Sequence, residues 1–135
     1  MLKIKIFSPG KTKEEWLSHA LTEYEKRLSK ELSIEWIPSY EGLKKERYYL
    51  CLDPQGQSYT SLEFSKFLYK AFETGGARLN FVIGGPEGIP EPIRSNAYQL
   101  ISLSKLTFTH QMVRLILLEQ LYRAVQIEKG TEYHK

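Results

Sequence analysis

Leu2, Ile4 and Ile6 alternate with Lys3 and Lys5, and this two-residue period predicts a first strand with one buried face. Phe7-Ser8-Pro9-Gly10 ends it. Thr12 followed by Glu15 reads as a capping box opening a helix to about Ser29, with Leu17, Ala20, Leu21, Tyr24 and Leu28 as its apolar stripe. Leu32, Ile34 and Trp36 alternate again, a second strand that stops near Pro38, and the polar run 39–47 is a loop. Residues 48–52 read as a third strand and Asp53-Pro54-Gln55-Gly56 as a turn. A second capping box, Thr60 with Glu63, opens a helix that turns Phe64, Phe67, Leu68 and Ala71 inward and stops at Gly75-Gly76. A fourth strand over 79–83, a short helix over 91–97, a fifth strand over 100–103 and a last helix over about 109–127 complete the pattern. Strands alternating with helices predict an α/β fold, a mostly parallel sheet with helices on both faces, in one domain spanning 1–135.

The last helix is apolar over most of its circumference. Val113, Leu117, Leu118, Leu121, Ala124 and Val125 form one stripe, flanked by Leu115 and Tyr122 on one side and by Ile116 and Ile127 on the other. A helix that covers only a sheet needs one stripe. A second cover is therefore expected, and a homodimer interface is the simplest one.

Charge and cysteine content narrow the picture only a little. The net charge is +3, with ten Lys/Arg against eight acids in 1–47 and nine against eight in 48–135, so neither half is a polyanion-binding arm. The one cysteine, Cys51, sits in an apolar run and reads as a small buried hydrophobe. The charged alternation at the start is unlike a signal peptide, and no run approaches membrane-spanning length, so a cytoplasmic protein without a membrane partner is expected. His19, His110 and His134 share no metal-ligand spacing, and no metal is expected.

The chemistry concentrates late in the chain. Phe81-Val82-Ile83 breaks into Gly84-Gly85-Pro86-Glu87-Gly88, a buried strand ending in a turn whose bare backbone suits a ligand at the carboxyl end of a sheet. The spacing fits neither the dinucleotide fingerprint nor a Walker A loop, and no serine-hydrolase elbow is present. A second such segment, Leu103-Ser104-Lys105-Leu106-Thr107-Phe108, leads into the last helix, and the chain closes on Tyr133-His134-Lys135.

These segments, with His110, Arg114 and Glu119-Gln120-Leu121-Tyr122-Arg123-Ala124, resemble the SPOUT superfamily of S-adenosylmethionine-dependent RNA methyltransferases. Within it the chain is most similar to the small H-type family that methylates N3 of a pseudouridine in large-subunit ribosomal RNA. Gly10-Lys11, Glu23-Tyr24 and Leu52-Asp53 extend the resemblance over nearly the whole chain. The resemblance implies a C-terminal deep trefoil knot, a homodimer, S-adenosylmethionine as cofactor and 23S rRNA in the assembled ribosome as partner. It places cofactor contacts on Leu52, Gly84, Leu103, Ser104, Lys105, Leu106, Thr107 and Phe108. One departure stands out: the family's additional charged helix between the second and third strands is replaced here by the short run 39–47. A related reading, a SPOUT enzyme acting on another RNA base or a ribose, shares the same cofactor segments, and a binding module without activity is the non-enzymatic alternative.

Methylation at N3 must remove a proton, and an imidazole titrates near neutrality, so His134 is the expected base. Tyr133 is expected to stack on or hydrogen-bond the base, and Lys135 to meet a phosphate. Arg114, inside the apolar stripe, needs a partner: a carboxylate, for instance of the other subunit, or an RNA phosphate in a catalytic role. Arg123 lies on the more polar side as a surface charge, and the resemblance makes it an RNA contact. His110 reads as a packing or capping residue, and Glu87 as facing either the cofactor or the turn amides.

Overall fold

Alternation in the first strand divides the molecule into two unequal layers. The structure, a computed structural model, describes residues 1–46 and 48–135; Arg47, the end of the expected loop, lies outside the described residues. The strands are β1 (Leu2–Phe7), β2 (Leu32–Ile37), β3 (Leu50–Ser58), β4 (Arg78–Val82) and β5 (Gln99–Ser102). The helices are α1 (Glu15–Leu28), α2 (Ser61–Thr74), α3 (Glu91–Ser95) and α4 (His110–Lys129), with a 3-10 turn at Leu43–Lys45.

All five strands pair in parallel in the order β2-β1-β4-β3-β5. Ile4 stands between Ile34 and Leu79, and Ile6 between Trp36 and Phe81. These residues, with Leu50 and Ile101, face the layer built by α1, α2 and α4, whose Leu17, Leu28, Leu68, Leu117 and Leu121 are fully buried against them. The opposite face carries Phe7, Cys51 and Val82 under Leu43, Tyr49 and the short α3 region. Helices thus lie on both faces, as expected, but one layer is thick and the other thin. Parallel neighbours require crossovers, and the helices supply them.

Three local expectations need correction. Thr12 does not cap α1: the helix starts at Glu15 without a side-chain cap, because the Thr12 hydroxyl accepts a hydrogen bond from Arg114 at 2.8 Å. Residues 53–56 are not a turn between elements but a bulge inside β3, where Leu52 and Gln57 both pair with Ile101. Gly56 is required there, since a Cβ would meet the Leu100 carbonyl carbon at 2.5 Å. Finally, α4 is flanked within its own chain by α1 and α2, so part of its wide apolar surface is covered without a partner: Leu115 and Tyr122 pack on this core, whereas Ile116 and Ile127 belong to neither core cluster. The second capping box forms as expected, Thr60 accepting from the Glu63 amide and Glu63 accepting from the Thr60 amide.

Candidate cofactor cavity and C-terminal cluster

β5 is the sheet edge, yet by Arg114 the chain has returned across the carboxyl ends of β3 and β4 to the β1–α1 loop. This crossing encloses a cavity of about 470 Å³ between the β3 bulge, the glycine turn and the 103–109 segment. That volume falls within the roughly 300–1,000 Å³ usual for small-molecule sites. Leu52, Gly84, Leu103, Ser104, Leu106, Thr107 and Phe108 all line it, while Lys105 is exposed and does not.

The glycine turn closes on itself. Gly88 donates its amide to Gly85 at 2.9 Å with φ +83°, and a Cβ on Gly84 would meet Gly88 backbone at 2.8 Å. Glycine at 84 is therefore demanded by the turn's own closure rather than by open space towards a ligand. The following segment is held by side chains, Ser102 Oγ donating to the Ser104 carbonyl at 3.0 Å and the Leu106 amide donating to Ser104 Oγ at 3.0 Å. Among the described residues, the amides of Lys105, Thr107 and Phe108 make no hydrogen bond, so this loop keeps donors free beside apolar walls.

The sequence reading missed the cavity's third wall. Asp53 and Pro54 line it from the bulge, and Arg94 of α3 donates from Nε to Asp53 Oδ2 at 2.6 Å. Asp53 Oδ1 accepts from the Gln55 amide at 2.8 Å, which fixes the bulge from inside. Burial would raise the Asp53 carboxyl, but hydrogen bonds from Arg94 and the Gln55 amide, with the charge of Arg94, hold it below the usual carboxylate range. Behind it, burial first and then Asp53 push the Cys51 thiol up to about 12, so the cysteine is inert. Read in sequence, Asp-Pro-Gln-Gly signalled a turn, and nothing in that signal named Arg94 as the partner.

At the start of α4, Thr109 caps the helix through the Met112 amide, and His110 and Val113 line the cavity. Burial, then the charges of Arg114 and Lys13, depress the His110 pKa, so its ring is neutral. Arg114 faces the other way. It is 2% exposed and donates to Ser8 Oγ at 2.9 Å, Thr12 Oγ1 at 2.8 Å, the Pro9 carbonyl at 2.9 Å and the Gly10 carbonyl at 3.2 Å. No carboxylate of its own chain pairs with it among the described residues; four neutral acceptors satisfy the guanidinium, and burial lowers its pKa. It does not line the cavity. Gln111 adds to the same clamp, donating to the Lys11 carbonyl and accepting from the Lys13 amide, each at 3.2 Å.

The C-terminal residues lie against α4. Gly130, with φ +75°, ends α4 and turns the chain back along the helix. Tyr133 donates its hydroxyl to Glu119 Oε2 at 3.0 Å and meets Tyr122 edge-on at 4.7 Å. Arg123 donates to Glu119 Oε2 at 2.8 Å, lies 5.1 Å from the Tyr133 ring centroid and touches His134 Nδ1 at 3.0 Å. Burial and the bond to Glu119 raise the Tyr133 pKa, and its phenol stays protonated. Lys135 is exposed. Arg123, read as a surface charge, is thus brought together with Tyr133 and His134. The cavity and this cluster remain apart: ten residues of helix separate Val113 from Arg123, about 15 Å of axis.

Comparison with known proteins supplies a family for this arrangement. The sequence model of the family described as "Predicted SPOUT methyltransferase" matches residues 2–134. A protein of Protochlamydia amoebophila named Ribosomal RNA large subunit methyltransferase H is 52% identical over 141 positions, covering 100% of both chains. Its namesake in Coprothermobacter proteolyticus is 37% identical over 139 positions, covering 99% of this chain and 100% of its own. The namesake in Clostridium botulinum strain Kyoto is 39% identical over 159 positions, again with 99% and 100% covered. The longer span of that last match, against 135 residues here, fits a chain shortened relative to some of its relatives.

Proposed function

The chain belongs to the SPOUT methyltransferase family, and we propose that it moves a methyl group from S-adenosylmethionine to N3 of a pseudouridine in 23S rRNA of the large ribosomal subunit. The observation that carries this reading is the cavity at the carboxyl ends of the strands, with apolar walls at Leu52, Leu106 and Val113 and free amides at Thr107 and Phe108. That donor set and volume fit an adenosine with a short polar tail. When bound, S-adenosylmethionine supplies an electrophilic methyl on a sulfonium. Neutral His110 adds no like charge beside that cation.

The remaining parts are positional. Arg114 and Gln111 tie α4 to the β1–α1 loop and so hold the crossing segment in place; in this reading Arg114 is a positioning residue. That crossing is where the knot implied by the family would thread. The protein acts as a homodimer, in the cytoplasm, on the assembled ribosome. Ile116, Gln120, Arg123 and Ile127 share one outward helical face of α4, and the tail lies against it. A partner packed on this face would receive Tyr133, His134 and Lys135 at its own cavity, whereas within one chain they lie too far away. Arg123 and Lys135 would then meet RNA around the target base.

Two measurements test the reading. Calorimetry should show S-adenosylmethionine binding and none of NADH or ATP. Mapping of modified nucleotides in ribosomal RNA from a strain lacking this protein should show loss of one N3-methylated pseudouridine; an unchanged map, or loss of a different methylated base or ribose, would replace the proposed target.

A further inference from the structure

A neutral imidazole donates from one nitrogen and accepts at the other, and which does which decides whether it can take a proton. In the C-terminal cluster the neighbour of His134 Nδ1 is Arg123 Nη1, 3.0 Å away. A guanidinium stays protonated in proteins and has no acceptor site. Arg123 must therefore be the donor, and Nδ1 must present its lone pair. An imidazolium would turn an N–H towards a cation and lose this contact. In this contact Nδ1 is the acceptor, which leaves Nε2 as the nitrogen that carries the N–H.

Arg123 is not free to turn away. Nη2 and Nε donate to the two oxygens of Glu119 at 2.8 and 3.3 Å, and the guanidinium is stacked on Tyr133, which itself donates to Glu119. The bond to Glu119 raises the Arg123 pKa further. The charged and titratable groups around His134 are Glu119, Tyr122 and Arg123 of α4, Tyr133 and Lys135 of the tail, and Tyr24 and Arg27 of α1, which stack on Tyr122. Two further acids lie nearby, Glu132 of the tail and Glu23, which pairs with Arg27, while Glu119, the acid in direct contact with the cluster, is engaged by Arg123 and Tyr133.

We propose that His134 acts in methyl transfer as a neutral hydrogen-bond donor through Nε2, with Arg123 as the positioning residue that fixes its tautomer, and not as the general base. The proposal rests on the reading in which the tail faces the target base in a partner's cavity. Losing the N3 proton places negative charge on the carbonyl oxygens beside N3, and a fixed N–H aimed there stabilises it as the bond forms. N3 gains its bond to the methyl carbon, the carbon–sulfur bond breaks with its electron pair passing to sulfur, and the N3 proton leaves to solvent water. The products are N3-methylpseudouridine and S-adenosylhomocysteine. His134 ends the step in the state in which it began.

The test has two arms on the intact dimer. In protein with 15N-labelled histidine, long-range ring correlations should show the His134 signals, assigned by loss in His134→Leu, with Nε2 protonated and Nδ1 bare; Arg123→Ala should mix the tautomers. In single-turnover methylation at saturating ribosomes, His134→Gln, which keeps an N–H donor, should remain within roughly tenfold of wild type, while His134→Leu should fall by roughly a hundredfold or more. Wild type and His134→Gln should share one rise in rate with pH, set by the N3 proton. A proton on Nδ1, or an acidic limb of the wild-type profile that vanishes in an equally inactive His134→Gln, overturns the donor role alone. A wild-type rate in His134→Leu overturns it together with the tail's place in the site.

Discussion

The cavity beneath the glycine turn and the cluster at the end of α4 are made of opposite materials. The first is apolar walls, closed glycine backbone and free amides, with the carboxylate that lines it, Asp53, locked by Arg94. The second is a carboxylate, a guanidinium, an imidazole and two phenols in mutual contact. A sulfonium donor needs the former, and a base that must lose a proton needs the latter. The fold keeps the two at different levels of one helix, and in the proposed dimer a second chain joins them.

The largest effect should come from parting the chains. Ile127 is half-buried and packs in neither core cluster, so Ile127→Asp should leave the fold and donor binding nearly unchanged. Light scattering should then report a 15.8 kDa monomer, and methylation should fall by roughly a hundredfold or more, the size of a lost set of catalytic groups. Full activity in a monomer would leave the cluster without a role.

Damage to the cavity should separate from damage to the cluster. In Gly84→Val the new Cβ meets Gly88 backbone at 2.8 Å, so the turn must open, at about 1–3 kcal/mol of stability. Calorimetry should show donor affinity down by at least tenfold, while His134 keeps its tautomer. Undiminished binding would remove the turn from the site.

Much of this comparison could be read before any coordinates, and the exceptions have physical causes. Two-residue alternation in 2–6 and the run into Gly84 marked strands, because such patterns report burial directly. Thr12 misled because a cap signal is local while its hydroxyl is claimed by Arg114, 102 residues away. Asp53-Pro54-Gln55-Gly56 misled because turn-forming residues equally build a bulge, and only the partner strand distinguishes them. The tail's fold-back onto Glu119 left no trace in the pattern, since Gly130 marks where a helix ends but not where the chain goes next.

A smaller effect sharpens the cavity side. The folded Asp53 pKa is depressed below its ordinary 3.8, so the Asp53–Arg94 pair contributes its stability above that value and loses it as pH falls through the folded pKa. Urea midpoints should show wild type more stable than Asp53→Asn by about 1–2 kcal/mol at pH 7, with the gap closing in acid below pH 3.8. Donor affinity in the variant should weaken severalfold as the bulge loosens. A gap that persists unchanged in acid would mean that the carboxylate charge is not what holds the bulge.

The central claim, that the cavity of one chain works with the tail of the other, is tested most directly by complementation. Gly84→Val keeps an intact tail, and removal of residues 133–135 keeps an intact cavity; each homodimer should be nearly inactive. Co-expressed and purified as a heterodimer by two affinity tags, they form one site that has both parts and one that has neither. The account predicts methylation of ribosomes at about half the wild-type rate per dimer. A heterodimer verified by mass that is as inactive as its parents would contradict it, and would put cavity and tail in the same chain.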